Sequence, residues 1–166
     1  MSVQLRPGRP TDAPRLHELH TVSVRTLCAP SYPPEIIDGW LKDRHPDGYL
    51  PGIESGALFV AEANAAIVGF GEAAAGVIFA LYVDPAVARR GIGSTLLRRA
   101  LELARRNHAG AINVEATLNA GRFYEKHGFR ELDRCTTRRG RTDVPIIWME
   151  LRSDRETQTA PPPQQP

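Results

Sequence analysis

Residues 77–107, VIFALYVDPAVARRGIGSTLLRRALELARRN, constrain the fold more than any other stretch of the chain. The first seven are all apolar, the pattern of a strand covered on both faces rather than one with a solvent side. From Gly91, the residues Ile92, Leu96, Leu97, Ala100, Leu101, Leu103 and Ala104 form an apolar stripe opposite Arg98, Arg99, Glu102, Arg105 and Arg106. That spacing predicts an amphipathic helix running to about residue 107. A buried strand feeding such a helix belongs to a sheet with helices packed on its faces.

The remaining segments extend this picture. Residues 3–6 predict a first strand, and Thr11 or Asp12 caps a helix that carries Leu16, Leu19, Val22 and Val24 and ends near Pro30. Pro33 and Pro34 stand where a second helix begins, with Ile36, Ile37, Trp40 and Leu41 at helical spacing, and His45-Pro46-Asp47-Gly48 breaks it. ALFVAE (57–62) and AIVGF (66–70) flank Asn64 as a hairpin, and AINVEA (111–116) is a further strand. Residues 119–127 predict a short helix stopped by Gly128, and VPIIWMEL (144–151) a last strand. The expected architecture is one mixed sheet with helices on both faces, an α/β (α+β) fold. Residues 1–152 are expected to form the domain, and the polar, proline-rich residues 153–166 a disordered tail.

At 166 residues the chain is long enough for one domain with a real core. Twenty-one basic residues against 19 acidic give a net charge of +2, too mild an excess to indicate nucleic acid or a membrane surface. No apolar run approaches the ~20 residues of a membrane helix. Cys28 and Cys135 lack metal-ligand spacing, and no charged-then-apolar leader is evident, so a reduced, cytoplasmic protein is expected. His17 and His20 share a helix without a third ligand in reach, and no metal is expected.

The chemistry concentrates at ARRGIGS, residues 88–94. The first amides of a helix lack partners and sit at the positive end of its dipole, and glycines let a phosphate approach them. A solvated helix start explains the same residues locally, so the surroundings must decide. No Gly-Lys-Ser/Thr follows, which excludes a Walker loop. Leu96 stands where a dinucleotide fingerprint needs its third glycine, and DPAVARR separates the strand from Gly91.

A buried strand, Asp-Pro, a short loop, Arg-Arg-Gly-x-Gly and a long amphipathic helix together resemble the acetyl-CoA motif of the GNAT superfamily of N-acetyltransferases. VEATLNAGRFYEKHGF, residues 114–129, is similar to the closing motif of that superfamily. The resemblance extends over about residues 3–151 and implies a mixed, mostly antiparallel central sheet. It implies direct transfer of an acetyl group from acetyl-CoA to a primary amine in a ternary complex. A noncatalytic acyl-CoA-binding or sensor module is the alternative, and the protein is expected as a monomer or homodimer.

Residue by residue, the resemblance implies that the CoA pyrophosphate lies on the loop of Arg89, Arg90, Gly91, Ile92, Gly93 and Ser94. Ala88 replaces the Gln or Arg with which the superfamily pattern opens. It further implies that the pantetheine arm pairs with Leu81, Tyr82 and Val83, and that an amide near Leu81 faces the acetyl oxygen. Thr117 stands where the superfamily often has a cofactor-binding asparagine, with Asn119 at a different spacing. Tyr124 falls at the general-acid position; a phenol with pKa near ~10 keeps its proton at neutral pH and can give it to a leaving thiolate. An ammonium acceptor needs a base. Val77 occupies the strand position where some members carry a glutamate, which leaves Glu72 as first candidate and Glu115 as second. The resemblance places the acceptor pocket on the N-terminal helices and the loop after them, with Tyr32, Trp40, Asp38 and Tyr49 as the residues expected to line it.

Overall fold

The computed structural model describes residues 2–152; the tail expected beyond 152 lies outside the described residues. The elements are β1 (Gln4–Pro7), α1 (Ala13–Ser23), α2 (Pro34–Leu41), α3 (Leu50–Glu54), β2 (Leu58–Ala63), β3 (Ala66–Ala74), β4 (Val77–Val83), α4 (Ile92–Arg105), β5 (Ile112–Thr117), α5 (Gly121–Lys126), β6 (Arg130–Arg139) and β7 (Thr142–Leu151). All seven strands join one sheet in the order β1-β2-β3-β4-β5-β7-β6. Every pairing is antiparallel except that of β4 with β5.

Each face of the sheet has its own core. On one, Ile92, Leu96, Leu97 and Ala100 of α4 pack with Tyr124 and Phe129 against Ile78 and Val114. On the other, Leu16 and Leu19 of α1 and Trp40 of α2 pack with Phe70, Tyr82 and Ile146. Alternation along the strands supplies both sets. The apolar stripe read from the sequence is therefore the buried face of α4.

Several details differ from the sequence reading. Asp12 makes no side-chain cap onto α1; its carboxylate takes two hydrogen bonds from Arg6, at 2.7 and 3.0 Å, and one from the Arg9 amide at 2.8 Å. A guanidinium and an amide competing for the same oxygens leave the helix amides without it, and Arg6 holds Asp12 below the usual carboxylate range. After α1 the chain continues as a wide π turn over Val24–Cys28. The short α3 was not expected because it follows the breaker at Pro46. β6 was not expected either: RELDRCTTRR is charged and exposed nearly throughout, as an edge strand is.

The largest departure is in β4. Its register against β3 slips between Ile78 and Ala80, pairing Glu72 with Ala80 and Ala73 with Ile78, so Phe79 is the extra residue of a β-bulge. The bulge reverses the alternation: Ile78 and Leu81 face the α4 core while Ala80 and Tyr82 face the α1 core. Phe79 is 55% exposed, so an all-apolar strand is not enclosed on both faces here.

Candidate active site

The bulge lies where the sheet opens. β4 pairs with β5 only at Val77↔Asn113 and Ile78↔Val114, and beyond that point the two strands diverge. The Asp84 amide donates to the Val68 carbonyl at 2.9 Å on the β3 side. Because successive residues of a strand point their polar groups to opposite sides, Leu81 and Val83 present N–H and C=O to the open edge. A row of unpaired backbone groups is an acceptor for an extended, amide-bearing ligand.

A cleft of about 910 Å³ fills the fork. Its walls come from both faces of the sheet: Leu81, Val83, Val114 and Ala116 belong to the α4 side, and Ala80 and Tyr82 to the α1 side. The cleft thus passes through the sheet, joining a chamber under α4 and α5 to one under α1.

At the α4 end, the helix begins on Gly91 with no side-chain cap. The first intrahelical bond runs from the Thr95 amide to the Gly91 carbonyl at 3.1 Å, so the amides of Ile92, Gly93 and Ser94 have no helical partner. Gly91, Gly93 and Ser94 line the cleft together with Ala88 and Arg89. The two glycines serve different purposes. Gly91 has φ +83°, the left-handed region in which a Cβ is strained. At Gly93 a Cβ would meet nothing closer than the Phe123 ring at 3.4 Å, so the missing side chain there keeps the amide open to the cleft. Arg89 also has positive φ, +63°, a conformation that costs on the order of 1 kcal/mol or more and concentrates at ligand sites.

Tyr124 lies on α5 with its ring against Phe123 and Phe129 and its side chain on the cleft wall. Burial raises its pKa well above the ordinary phenol value, as does the nearby Tyr82. The group therefore stays protonated, a donor held in an apolar setting.

The cleft also gathers Leu81, Tyr82, Val83 and Thr117 among the residues singled out from the sequence. Others lie elsewhere. Arg90 is exposed off the cleft wall, and Ile92 is buried in the α4 core with only its backbone at the helix start. Glu72 is one strand back, half-buried against Gly52 of α3, and burial raises its pKa. Glu115, the second candidate, is on the cleft wall.

Tyr32 and Trp40 were expected to line an acceptor pocket, and both are instead in the core of the α1 face. The Tyr32 hydroxyl donates to the Pro145 carbonyl at 2.7 Å and accepts from the Leu118 amide at 2.9 Å. It joins β7 to the turn before α5. Trp40 is fully buried, and an indole of that size at helical spacing from Ile37 is an anchor for α2.

Sequence reasoning missed Arg139, at the end of the unexpected strand β6. Its guanidinium lies over the Trp40 ring, 4.8 Å from the centroid, and donates to the Tyr82 hydroxyl at 3.3 Å. It forms part of the cleft wall, as do Arg122 and Lys126 of α5. Their positive charge at the end of a helix was visible in the sequence, whereas the position of Arg139 depends on strand pairing. Among the described residues no group of three or more His, Cys, Asp or Glu could hold a metal ion, and no helix is long and apolar enough to cross a membrane.

Comparison with known proteins accords with this geometry. An N-acetyltransferase of Escherichia coli strain K12, YafP, itself uncharacterised, is 27% identical over 129 residues, covering 78% of this chain and 82% of YafP. A GCN5-related N-acetyltransferase from Rhodopseudomonas palustris superposes with a TM-score of 0.78 at 24% identity, covering 92% of this chain and 97% of that one. The PaiA N-acetyltransferase of Thermoplasma acidophilum, solved in complex with coenzyme A, gives 0.74 at 23% identity, covering 92% and 100%. The acetyltransferase (GNAT) domain model matches residues 28–151, and the chain accordingly belongs to the GNAT acetyltransferase family.

Proposed function

We propose that the protein transfers an acetyl group from acetyl-CoA to a primary amine, with both substrates bound in the cleft at once. The observation that carries this reading is the passage through the sheet at the β4–β5 fork. A donor and an acceptor can meet there from opposite faces.

The residues on the α4 side fit the donor. The uncapped amides of Ile92, Gly93 and Ser94 suit a pyrophosphate, with Arg89 supplying charge, and the open edge of β4 suits the amides of a pantetheine arm. PaiA, with the same fold, was solved with coenzyme A. Acetyl-CoA supplies the activated thioester.

The chain's own groups then have distinct tasks. The Leu81 N–H on the open edge polarises the acyl oxygen. Glu115, rather than Glu72, takes the proton of the incoming ammonium, directly or through water, because Glu115 lines the cleft. The amine nitrogen bonds to the acyl carbon as the carbon–sulfur bond breaks, and Tyr124 gives its proton to the departing sulfur. Tyr124 recovers a proton from solvent. The nitrogen loses its second proton to water as the amide forms, so one ammonium and one thioester give one amide, one thiol and one proton.

The test is release of free thiol from acetyl-CoA by the purified full-length chain over a broad amine panel. Tyr124→Phe is expected to slow release by about 10²–10⁴-fold with the acetyl-CoA Kd little changed. Equal rates for the variant and wild type would remove Tyr124 as the acid. Tight CoA binding with no thiol release on any amine would replace the enzyme by an acyl-CoA sensor.

A further inference from the structure

The charges in the cleft are divided between its two ends. Arg89, Arg122 and Lys126 lie toward α4 and α5, where the donor phosphates are placed above. On the α1 side the charged groups on the wall are one cation, Arg139, and one carboxylate, Glu115.

Arg139 is fixed but underused. Its side chain is 18% exposed, the Trp40 ring supports its plane, and the Tyr82 hydroxyl takes one of its five N–H donors. The facing carboxylate, Glu115 Oε2, is 3.9 Å from Nη2, and no hydrogen bond joins the two. A guanidinium held in place by stacking, with donors to spare in a part-buried wall, presents a fork that matches a carboxylate. Glu115, with its side chain 42% exposed, presents the complementary charge for an ammonium.

We propose that the acceptor is an amino-acid-type compound, an amine carrying a carboxylate within a few bonds of its nitrogen, and that Arg139 is the specificity residue that holds this carboxylate. The proposal rests on the acetyl-transfer reading given above. Binding replaces one long Arg139–Glu115 contact with two short ones, carboxylate on Arg139 and nitrogen at Glu115. It also directs the nitrogen toward the fork. Peptides and proteins, whose terminal amine has an amide beside it, do not satisfy the site.

The experiment compares thiol release from acetyl-CoA with α-amino acids, with their amides and with the corresponding decarboxylated amines, leucine, leucinamide and 3-methylbutylamine being one such set. In the wild-type chain kcat/KM for the carboxylated member should exceed that of both partners by at least about 30-fold, the worth of one bidentate pair. Arg139→Gln should collapse that ratio toward one, chiefly through KM, and Arg139→Lys, which keeps charge without the fork, should restore part of it. The acetyl-CoA Kd of each variant shows that it is folded; if Arg139→Gln is not, the wild-type ratio and Arg139→Lys decide. A wild-type ratio near one, a preference for amides or uncharged amines, or a ratio unmoved by the variants would overturn the proposal and leave acetyl transfer standing. Absence of thiol release in every arm despite bound acetyl-CoA would overturn the acetyl-transfer reading, and this proposal with it.

Discussion

The imidazole of His20 stacks on the Tyr82 ring with centroids 3.9 Å apart, placing a buried histidine directly behind the cleft wall. Arg44 Nη2 donates to His20 Nδ1 at 2.9 Å, and since an arginine only donates, Nδ1 is an acceptor and Nε2 carries the proton. Tyr49 donates to the same Nδ1 at 3.0 Å. Burial, reinforced by the charges of Arg44, Arg139 and His17, holds His20 well below its ordinary value of 6.5.

This sets a direction for stability against pH. Above pH 6.5 the ring is neutral in the folded and unfolded chain and contributes no pH dependence. Below 6.5 the unfolded chain takes up a proton that the folded chain refuses, so stability falls by up to about 1.4 kcal/mol per pH unit until the folded-state value is reached. Melting curves between pH 7.5 and 5 should show this slope in wild type and a shallower one in His20→Asn. Parallel slopes would show that His20 does not titrate differently on unfolding.

Gly91 and Gly93 should separate when each is changed to alanine. Gly91→Ala places a Cβ at φ +83° and should destabilise the fold by about 1–2 kcal/mol. Gly93→Ala fits beside Phe123 and improves helix propensity, so its Tm should hold or rise slightly. Its cost should appear in binding, with acetyl-CoA KM raised about tenfold, or 1.4 kcal/mol, by the methyl over the open amides. Calorimetry of acetyl-CoA binding to both variants checks the division; an unchanged Kd for Gly93→Ala would mean that the donor does not approach that amide.

The α4 end of the cleft was legible because its signals are contiguous. An apolar strand, the residues Arg89 to Ser94 and the stripe of α4 follow one another along the chain, and local spacing carries the geometry. The α1 end is assembled from the π turn after α1, from β5 and from β6, and no local pattern announces it. Phe79 shows the same limit within one strand: VIFALYV gives no sign of a bulge, because the bulge is decided by register against β3. Tyr32 and Trp40 were misplaced for a related reason. A large aromatic near a loop fits a pocket or a core equally well until the partner, here Pro145 for one and Arg139 for the other, is known.

The Tyr32 hydroxyl ties β7 to the turn that leads into α5. Tyr32→Phe keeps the packing but leaves the Leu118 amide and the Pro145 carbonyl without this partner, at a cost of about 1–3 kcal/mol. Urea unfolding should report that loss. Tyr124 follows Leu118 by six residues, through the turn into α5, so hydrogen exchange of residues 118–124 should also accelerate in the variant. Unaltered exchange there would confine the role of Tyr32 to β7.

The two thiols should differ sharply toward an alkylating agent. Cys135 is exposed on β6, whereas Cys28 is buried at the α1 end of the cleft wall, and burial pushes its thiol up to about 11. At pH 8 such a group is thiolate in only about one molecule in a thousand, and only the thiolate attacks iodoacetamide. Cys135 should therefore be labelled readily in the native protein, and Cys28 far more slowly until the chain is unfolded. Between pH 8 and 10 the labelling rate of Cys28 should rise about tenfold per unit, following its thiolate fraction. Because Cys28 shares the wall with Glu115 and Arg139, an acceptor bound there should slow that labelling and leave Cys135 unaffected. Comparable labelling of both thiols at pH 8, read by peptide mass spectrometry, would show that the cleft opens more widely in solution than the packing of Cys28 allows.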